Sequence, residues 1–385
     1  MVAARTRNGK PMIPLTRPEF GDEEARAVTA VLKSGWVVQG PKVAEFETVV
    51  ASRLGAAHGI ATTSCTTALH LAFVALGVGP GDEVICPSYS FIASANAIVH
   101  AGATPVFAEI EDDTWNLDPA DVARRVTSKT KAVLVVHQVG LAADLDRLRA
   151  AVPARVVVIE DAACAIGSLY KGRSVGSHGN VTCFSFHPRK TISLGEGGML
   201  LTDDASVADR VRTLRSHGAS VSDLDRHRAQ GLMYEEYREL GYNYRMTDIQ
   251  AAIGLEQMKR LDDLLARRRA VAARYNAAFC QTKDVQIPVQ PSYAQHSYQS
   301  YVVRLRRNAP VRRDDVMREL IGAGITCRRG IPPIHLEPLY LNRGRVSLPI
   351  TEAVAAGSIF LPMYASLTES DQARVIEAVT HAVGR

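Results

Sequence analysis

Six short, nearly continuous apolar runs separated by stretches of helical character occupy the chain from about residue 60 to 202, and they limit its possible folds more than any other feature. They are Glu83–Pro87 (EVICP), Thr104–Ala108 (TPVFA), Lys131–His137 (KAVLVVH), Arg155–Asp161 (RVVVIED), Val181–Phe186 (VTCFSF) and Gly198–Thr202 (GMLLT). Strands so evenly apolar are buried on both faces, which is the condition of a largely parallel sheet covered by helices. The helices between them have legible ends. One opens near Thr66 and closes at Gly77; another follows Asp118-Pro119, a capping carboxylate and a first-turn proline. The fold class read from this pattern is α/β.

The flanks are different. Residues 22–34 read as a helix capped by Asp22 and stopped by Gly35, and residues 247–280 as one long helical stretch with an Arg-rich exposed side. Strand-like Tyr298–Leu305, a helix from Asp314 to Ile321 and a last helix from near Thr368 to near Val383 make a smaller α+β unit. The expected division is an N-terminal segment, 1–40, packing with the small domain, a large domain, 41–260, and the small domain, 261–385. Ser216–Tyr244 has little regular patterning and many charges, and a loop of that length is usually functional or disordered.

Composition removes several function classes. Forty-five basic against 40 acidic residues leave +5, too mild for a nucleic-acid protein lacking a basic run. No run of about 18 apolar residues is present to span a membrane. Arg5, Arg7 and Lys10 are followed by no apolar stretch, so no secretory signal is read and a cytoplasmic protein is expected. The six cysteines are scattered without a C-x-x-C pair, which disfavours zinc and disulfides and favours reduced, mostly buried thiols; no metal is expected.

Three motifs carry chemistry. Thr63-Ser64-Cys65-Thr66-Thr67 opens a helix with small and hydroxylated residues, where free N–H groups and the dipole attract an anion such as phosphate; a plain N-cap is the alternative. Glu160-Asp161 ends a buried strand, with Asp161 at the carboxyl edge where open α/β sheets bind ligands. A carboxylate there can hold a protonated ring nitrogen or merely cap the next turn. Ser185-Phe186-His187-Pro188-Arg189-Lys190-Thr191 ends a strand at a proline and presents Lys190 before the Gly-rich Gly195-Glu196-Gly197-Gly198. A partly desolvated lysine can have its amine pKa lowered and form an imine with a carbonyl; a solvated surface lysine is the alternative. Gly77-Val78-Gly79-Pro80-Gly81 follows a helix and precedes a strand, the wrong order for a phosphate loop, and reads as a helix stop and turn. Anion site, acidic strand end and lysine loop together suit a pyridoxal phosphate enzyme, in which Asp161 keeps the pyridine nitrogen protonated so that the ring accepts electrons.

Further motifs make the sequence resemble the DegT/DnrJ/EryC1/StrS family of sugar aminotransferases nearly end to end. They are Ser34-Gly35-Trp36 with Gln39-Gly40-Pro41, Gly79-Pro80-Gly81-Asp82-Glu83-Val84, Pro87-Ser88-Tyr89-Ser90-Phe91, Glu160-Asp161-Ala162-Ala163, the Lys190 loop, Gly195–Gly198, and Gly241-Tyr242-Asn243-Tyr244-Arg245-Met246. The resemblance implies the type I aminotransferase fold, pyridoxal 5'-phosphate as cofactor, and an obligate homodimer. By it, Lys190 would be the catalytic lysine that forms a Schiff base with the cofactor, and Asp161 would pair with the ring nitrogen. Phe91 would stack on one ring face and Ala163 pack against the other. Cys65, Thr66 and Ser185 would hold the phosphate, with Asn243 reaching over from the partner subunit. Arg245 would sit near the amino donor's carboxylate, and His187, grouped with the catalytic residues, and His335 would line the substrate side.

Two residues depart from the family pattern. Cys65 stands where many relatives have Gly, and Cys164 where many have a Gln that hydrogen-bonds the cofactor's ring hydroxyl, a contact a thiol makes weakly. Lys190 itself is retained, which separates the chain from the dehydratase branch, where a His replaces it. The implied reaction carries an amino group from glutamate or glutamine to a keto-sugar, at the 3- or 4-keto position of a nucleotide-linked deoxysugar. Arg226, His227, Arg228, Arg328 and Arg329 are candidates for its diphosphate. A keto-cyclitol aminotransferase, a non-catalytic cofactor-binding regulator, and a pyridoxal-dependent dehydratase or oxidase are the alternatives.

Overall fold

The computed structural model describes residues 12–221, 234–342 and 346–384. Its large sheet has seven strands, in the order His58–Thr62, Gly198–Thr202, Val181–Ser185, Val157–Asp161, Thr130–Val136, Glu83–Pro87, Thr104–Ala108. Neighbours pair in parallel except where Gly198–Thr202 runs antiparallel to both of its partners. The even apolarity of the strands has the expected cause. In Thr130–Val136, Val133 and Val135 enter the core beside helix Pro41–Leu54, while Ala132 and Leu134 enter the opposite one beside helix Cys65–Ala75. Strand His58–Thr62 is absent from the sequence reading because HGIAT has a single β-branched apolar residue.

A smaller antiparallel sheet, Val285–Gln286, Tyr301–Leu305, Ser358–Leu361 and Arg328–Arg329, lies with helices Leu261–Phe279, Arg313–Gly322 and Glu369–Val383 around one further core. Ile13 is buried in that core and bridges Ile325. Helix Asp22–Ser34 packs instead on Asp248–Lys259, where the Gln257 amide donates to Glu24 at 2.7 Å.

Three local expectations need correction. The stretch 247–280 is two helices, Asp248–Lys259 and Leu261–Phe279, broken at Arg260 (φ −102°, ψ 4°), whose guanidinium binds the Glu24 carboxylate and the Glu19 carbonyl. The first helix is capped at Gly21, not Asp22, with the Gly21 N–H donating to Glu24 at 2.7 Å. The strand expected from Tyr298 starts at Tyr301, because Tyr298 takes a left-handed φ of 51° and stacks on His296.

Asp248 explains the Gln39-Gly40-Pro41 motif. Its carboxylate, 1% exposed, accepts the N–H groups of Gly40 (2.9 Å), Lys42 (3.1 Å) and Val43 (2.9 Å), and so caps helix Pro41–Leu54 from a distant part of the chain. Pro41 has no N–H to satisfy. A Cβ on Gly40 would fall inside the Trp36 indole. Asp248→Ala leaves three amides without their acceptor and is expected to lower the unfolding free energy by about 2–3 kcal/mol, read by urea denaturation.

Candidate active site at the carboxyl edge of the large sheet

Strand Val157–Asp161 delivers its two terminal acids to opposite faces of the sheet, as the pleat requires. Glu160 is wholly buried between His137 Nε2 at 2.8 Å and the Asn180 amide at 2.6 Å. Burial alone would raise its pKa, but these partners outweigh it and hold the carboxyl below the usual range. His137 Nδ1 accepts the Ala143 N–H at 3.0 Å, so Nε2 carries the proton offered to Glu160. Both acceptor sites are taken up internally. Asp161 is the acid at the carboxyl end of the strand: Oδ2 accepts the Ser94 hydroxyl at 2.7 Å, Oδ1 accepts the Ala163 N–H at 3.1 Å, and Cys65 Sγ stands 4.0 Å from Oδ1.

Lys190 follows the end of strand Val181–Ser185, its N–H bonded to the His187 carbonyl at 2.8 Å. Nζ donates to Cys164 Sγ at 3.1 Å. Burial pulls the ammonium pKa down, but the Cys164 sulfur, then Asp161 and Cys65, outweigh it and leave the amine above the ordinary lysine value. This reverses the lowered amine read from the loop, because spacing along the chain does not reveal the sulfur and carboxylate that gather around Nζ. Cys65 is buried, and that burial, with the charge of Asp161 next, pushes its thiol well above the usual range, so it is no nucleophile.

Ser64 caps helix Cys65–Ala75: its Oγ accepts the Thr67 N–H at 3.2 Å, and its own N–H donates to Thr67 Oγ1 at 3.1 Å. The leading amides, of Cys65 and Thr66, project from the helix end. Ser185 is brought beside them through Gly198, its register partner. A Cβ on Gly198 would lie 2.3 Å from the Ser64 carbonyl and 2.6 Å from the Cys65 nitrogen, so strand and helix end touch backbone to backbone. Ala163 is half-buried after Asp161, and Phe91, 73% exposed, stands on the loop before helix Ala93–His100.

Tyr242 and Tyr244 stack on each other (5.0 Å, 8°) and pack against His70, while their N–H groups bond the carbonyls of Leu214 and Arg215. In this extended segment Asn243 therefore turns the other way and is exposed, and Arg245 shares that side half-buried. His187 is half-buried, its Nδ1 accepting the Arg189 N–H at 3.2 Å. Burial lowers its pKa, Glu196 opposes, and Arg189 and Lys190 add to the lowering. His335 is turned inward: Nδ1 lies 2.6 Å from Ser88 Oγ and Nε2 3.3 Å from Glu352, so the ring ties the smaller unit to the end of strand Glu83–Pro87. Arg328 and Arg329 are exposed. Burial, and after it the charge of Arg328, lowers the pKa of the Arg189 guanidinium. Arg226, His227 and Arg228 lie outside the described residues.

The sequence reading missed Ser94, although its i, i+4 spacing from Ser90 is visible. It also missed His296, next to the Ser297 hydroxyl that donates to the Cys164 carbonyl at 3.3 Å. His296 Nδ1 accepts the Tyr298 N–H at 2.9 Å, and burial, with Arg269 adding, pulls its pKa down to about 3. A folded-state pKa depressed below the unfolded value of about 6.5 means stability is lost as pH falls from 6.5 towards 3. Two pH units below 6.5 cost about 2–3 kcal/mol. His296→Gln is expected to remove that part of the slope, so the stability gap between variant and wild type shrinks from pH 6.5 to 4.5 in urea titrations.

All six cysteines are free. Among the described residues no group of three or more His, Cys, Asp or Glu is placed for a metal, and no helix is long and apolar enough to cross a membrane. A family model described as the DegT/DnrJ/EryC1/StrS aminotransferase family matches residues 18–380. The spore coat polysaccharide biosynthesis protein SpsC of Bacillus subtilis (strain 168) is 40% identical over 381 residues, covering 96% of this chain and 97% of its own. GDP-perosamine synthase of Caulobacter vibrioides is 39% identical over 372 residues, covering 96% and 98%. Among solved structures, Spr1654 of Streptococcus pneumoniae in its PLP-form aligns with a TM-score of 0.90 at 30% identity, covering 97% of this chain and 99% of that one. Its PMP-form gives 0.91.

Proposed function

The chain belongs to the DegT/DnrJ/EryC1/StrS aminotransferase family, and on that premise we propose that it aminates the 3- or 4-keto position of a nucleotide-linked deoxysugar, with glutamate or glutamine as donor. It is a sugar aminotransferase and its cofactor is pyridoxal 5'-phosphate. We further propose that it works in the cytoplasm as a homodimer. The observation that carries the reading is Lys190 Nζ bonded to the Cys164 sulfur, with the Asp161 charge helping to hold its proton, at the same sheet edge as a capped helix end.

The residues present fit the cofactor. A capped helix end and the Ser185 hydroxyl suit a phosphate, the Asp161 carboxylate suits a protonated ring nitrogen, and the Lys190 amine suits an aldehyde. The ring of Phe91, 73% exposed, offers a flat apolar face. When bound, the cofactor supplies a carbonyl that takes up the amino group and a ring that accepts the electron pair of a broken C–H bond. Lys190 Nζ accepts the donor's α-proton and returns one to the product side as general base and acid. Its raised pKa keeps the free amine protonated, so it must shed a proton before it can condense with the cofactor's aldehyde. Cys164 accepts from Nζ and limits where it swings. The outward side of Asn243 supports a site shared between two copies. The exposed guanidinium groups of Arg189 and Arg328, which feel each other's charge, support an anionic substrate such as a sugar diphosphate.

The test supplies purified protein, pyridoxal phosphate and glutamate or glutamine with a panel of keto-sugar nucleotides and keto-cyclitols, and identifies products by mass spectrometry. An aminated sugar nucleotide is expected. Amination of cyclitols alone would shift the substrate class, and failure of the half-reaction with both glutamate and glutamine would turn the reading to a non-catalytic regulator.

A further inference from the structure

We infer that Ser94, braced by Ser90, is the positioning residue that aims Asp161 at the cofactor's ring nitrogen and, through the same contact, sets the loop that carries Phe91. The inference rests on the function proposed above and extends it to two residues with no assigned role.

Ser90, Ser94 and Asp161 are 3%, 1% and 6% exposed, so the three side chains meet in a region without water to replace a lost partner. Ser94 Oγ donates to Asp161 Oδ2 at 2.7 Å, and Ser90 Oγ lies 2.8 Å from Ser94 Oγ. A serine has a single hydroxyl proton. That of Ser94 is committed to Asp161, so Ser90 must donate to Ser94 and the chain runs in one direction, Ser90 to Ser94 to Asp161. The other carboxylate oxygen is held by the Ala163 N–H at 3.1 Å. Two donors, from different elements, thus pin both oxygens and fix the plane of a group whose terminal torsion is otherwise broad.

The brace also spans Phe91. Ser94 lies in the first turn of helix Ala93–His100, its N–H bonded to the Phe91 carbonyl at 3.0 Å, and Ser90 comes immediately before Phe91. A ring 73% exposed has little packing of its own to hold it. The Ser90–Ser94 contact closes the turn beneath it, so one pair of hydroxyls places both the acid at the cofactor's nitrogen edge and the aromatic face above its ring.

The experiment loads wild type, Ser94→Ala, Ser94→Cys, Ser94→Thr and Ser90→Ala with 15N-labelled pyridoxal phosphate. It follows the ring-nitrogen resonance by NMR through a pH titration, alongside steady-state kinetics with glutamate. Ser94→Ala is expected to move the nitrogen titration down by about one pH unit or more, a tenfold rise in the acid dissociation constant of the ring nitrogen. Its kcat should fall about tenfold or more with the glutamate KM little changed. Ser94→Thr, which keeps the hydroxyl, restores both readouts, and Ser90→Ala shows a smaller shift of the same sign. Ser94→Cys, close in volume but a poor donor, should behave like Ser94→Ala and serves if that variant does not fold. A nitrogen titration in Ser94→Ala and Ser94→Cys identical to wild type overturns the inference. A wild-type enzyme whose ring nitrogen is unprotonated would instead overturn the role given to Asp161.

Discussion

Lys190→Ala is expected to reduce glutamate-dependent amination by at least about 10³-fold, because one change removes both the proposed covalent anchor and the proposed proton carrier. The variant should fold. The side-chain nitrogen makes a single hydrogen bond, to Cys164, and the backbone bond to His187 is untouched. It should also retain the cofactor in part, since the helix end, Ser185 and Asp161 remain. Borohydride reduction followed by peptide mapping separates the two roles. Wild type should carry a pyridoxyl group on the peptide containing residue 190, and the variant should carry none. Turnover within tenfold of wild type would remove Lys190 from the mechanism.

Gly198→Val is the second large effect, and it acts without touching a reacting group. The Cβ at this position meets the Ser64 carbonyl carbon and oxygen at 2.3 Å, both backbone atoms that cannot rotate aside. Strand Gly198–Thr202 must move away from the helix end or push it out of place, and Ser185, paired with Gly198, moves with it. The expected cost is more than about 3 kcal/mol of stability. Any folded fraction should bind the cofactor at least about tenfold more weakly, because the phosphate donors on strand and helix no longer converge. Equilibrium dialysis against pyridoxal phosphate and thermal unfolding read the two parts separately. Unchanged affinity in a folded Gly198→Val protein would show that the phosphate is held elsewhere.

What could be read from the chain followed the reach of the interactions involved. Apolar runs report burial directly, so the five parallel strands read from them lie within two residues of where they were expected. Edge strand His58–Thr62, with its weak pattern, is fixed by pairing with Gly198–Thr202, a partner about 140 residues away in sequence that no local signal reveals. The Arg260 break was hidden for the same reason: its cause is Glu24, far back in the chain. At the site, Asp161 and Lys190 were legible because strand ends and turns mark them. Their neighbours were not. Ser94 reaches Asp161, and Cys164 reaches Lys190, only after folding, and the second of these contacts reversed the expected direction of the lysine's pKa. His335, placed on the substrate side by the family resemblance, is engaged at both nitrogens in the fold, by Ser88 and Glu352.

Glu160 and Asp161 are neighbours of nearly equal chemistry, yet one is held by His137 on one face of the sheet while the other is held by Ser94 on the opposite face. Their fates are decided by hydrogen-bond pairing with the adjacent strand, Val135 opposite Glu160 and Val136 opposite Asp161. A single-residue insertion or deletion inside that strand would swap the two acids between faces while leaving composition almost unchanged. Length variation is therefore tolerable in this chain's surface turns and intolerable in these five residues, where the pleat selects which acid meets His137 and which meets Ser94.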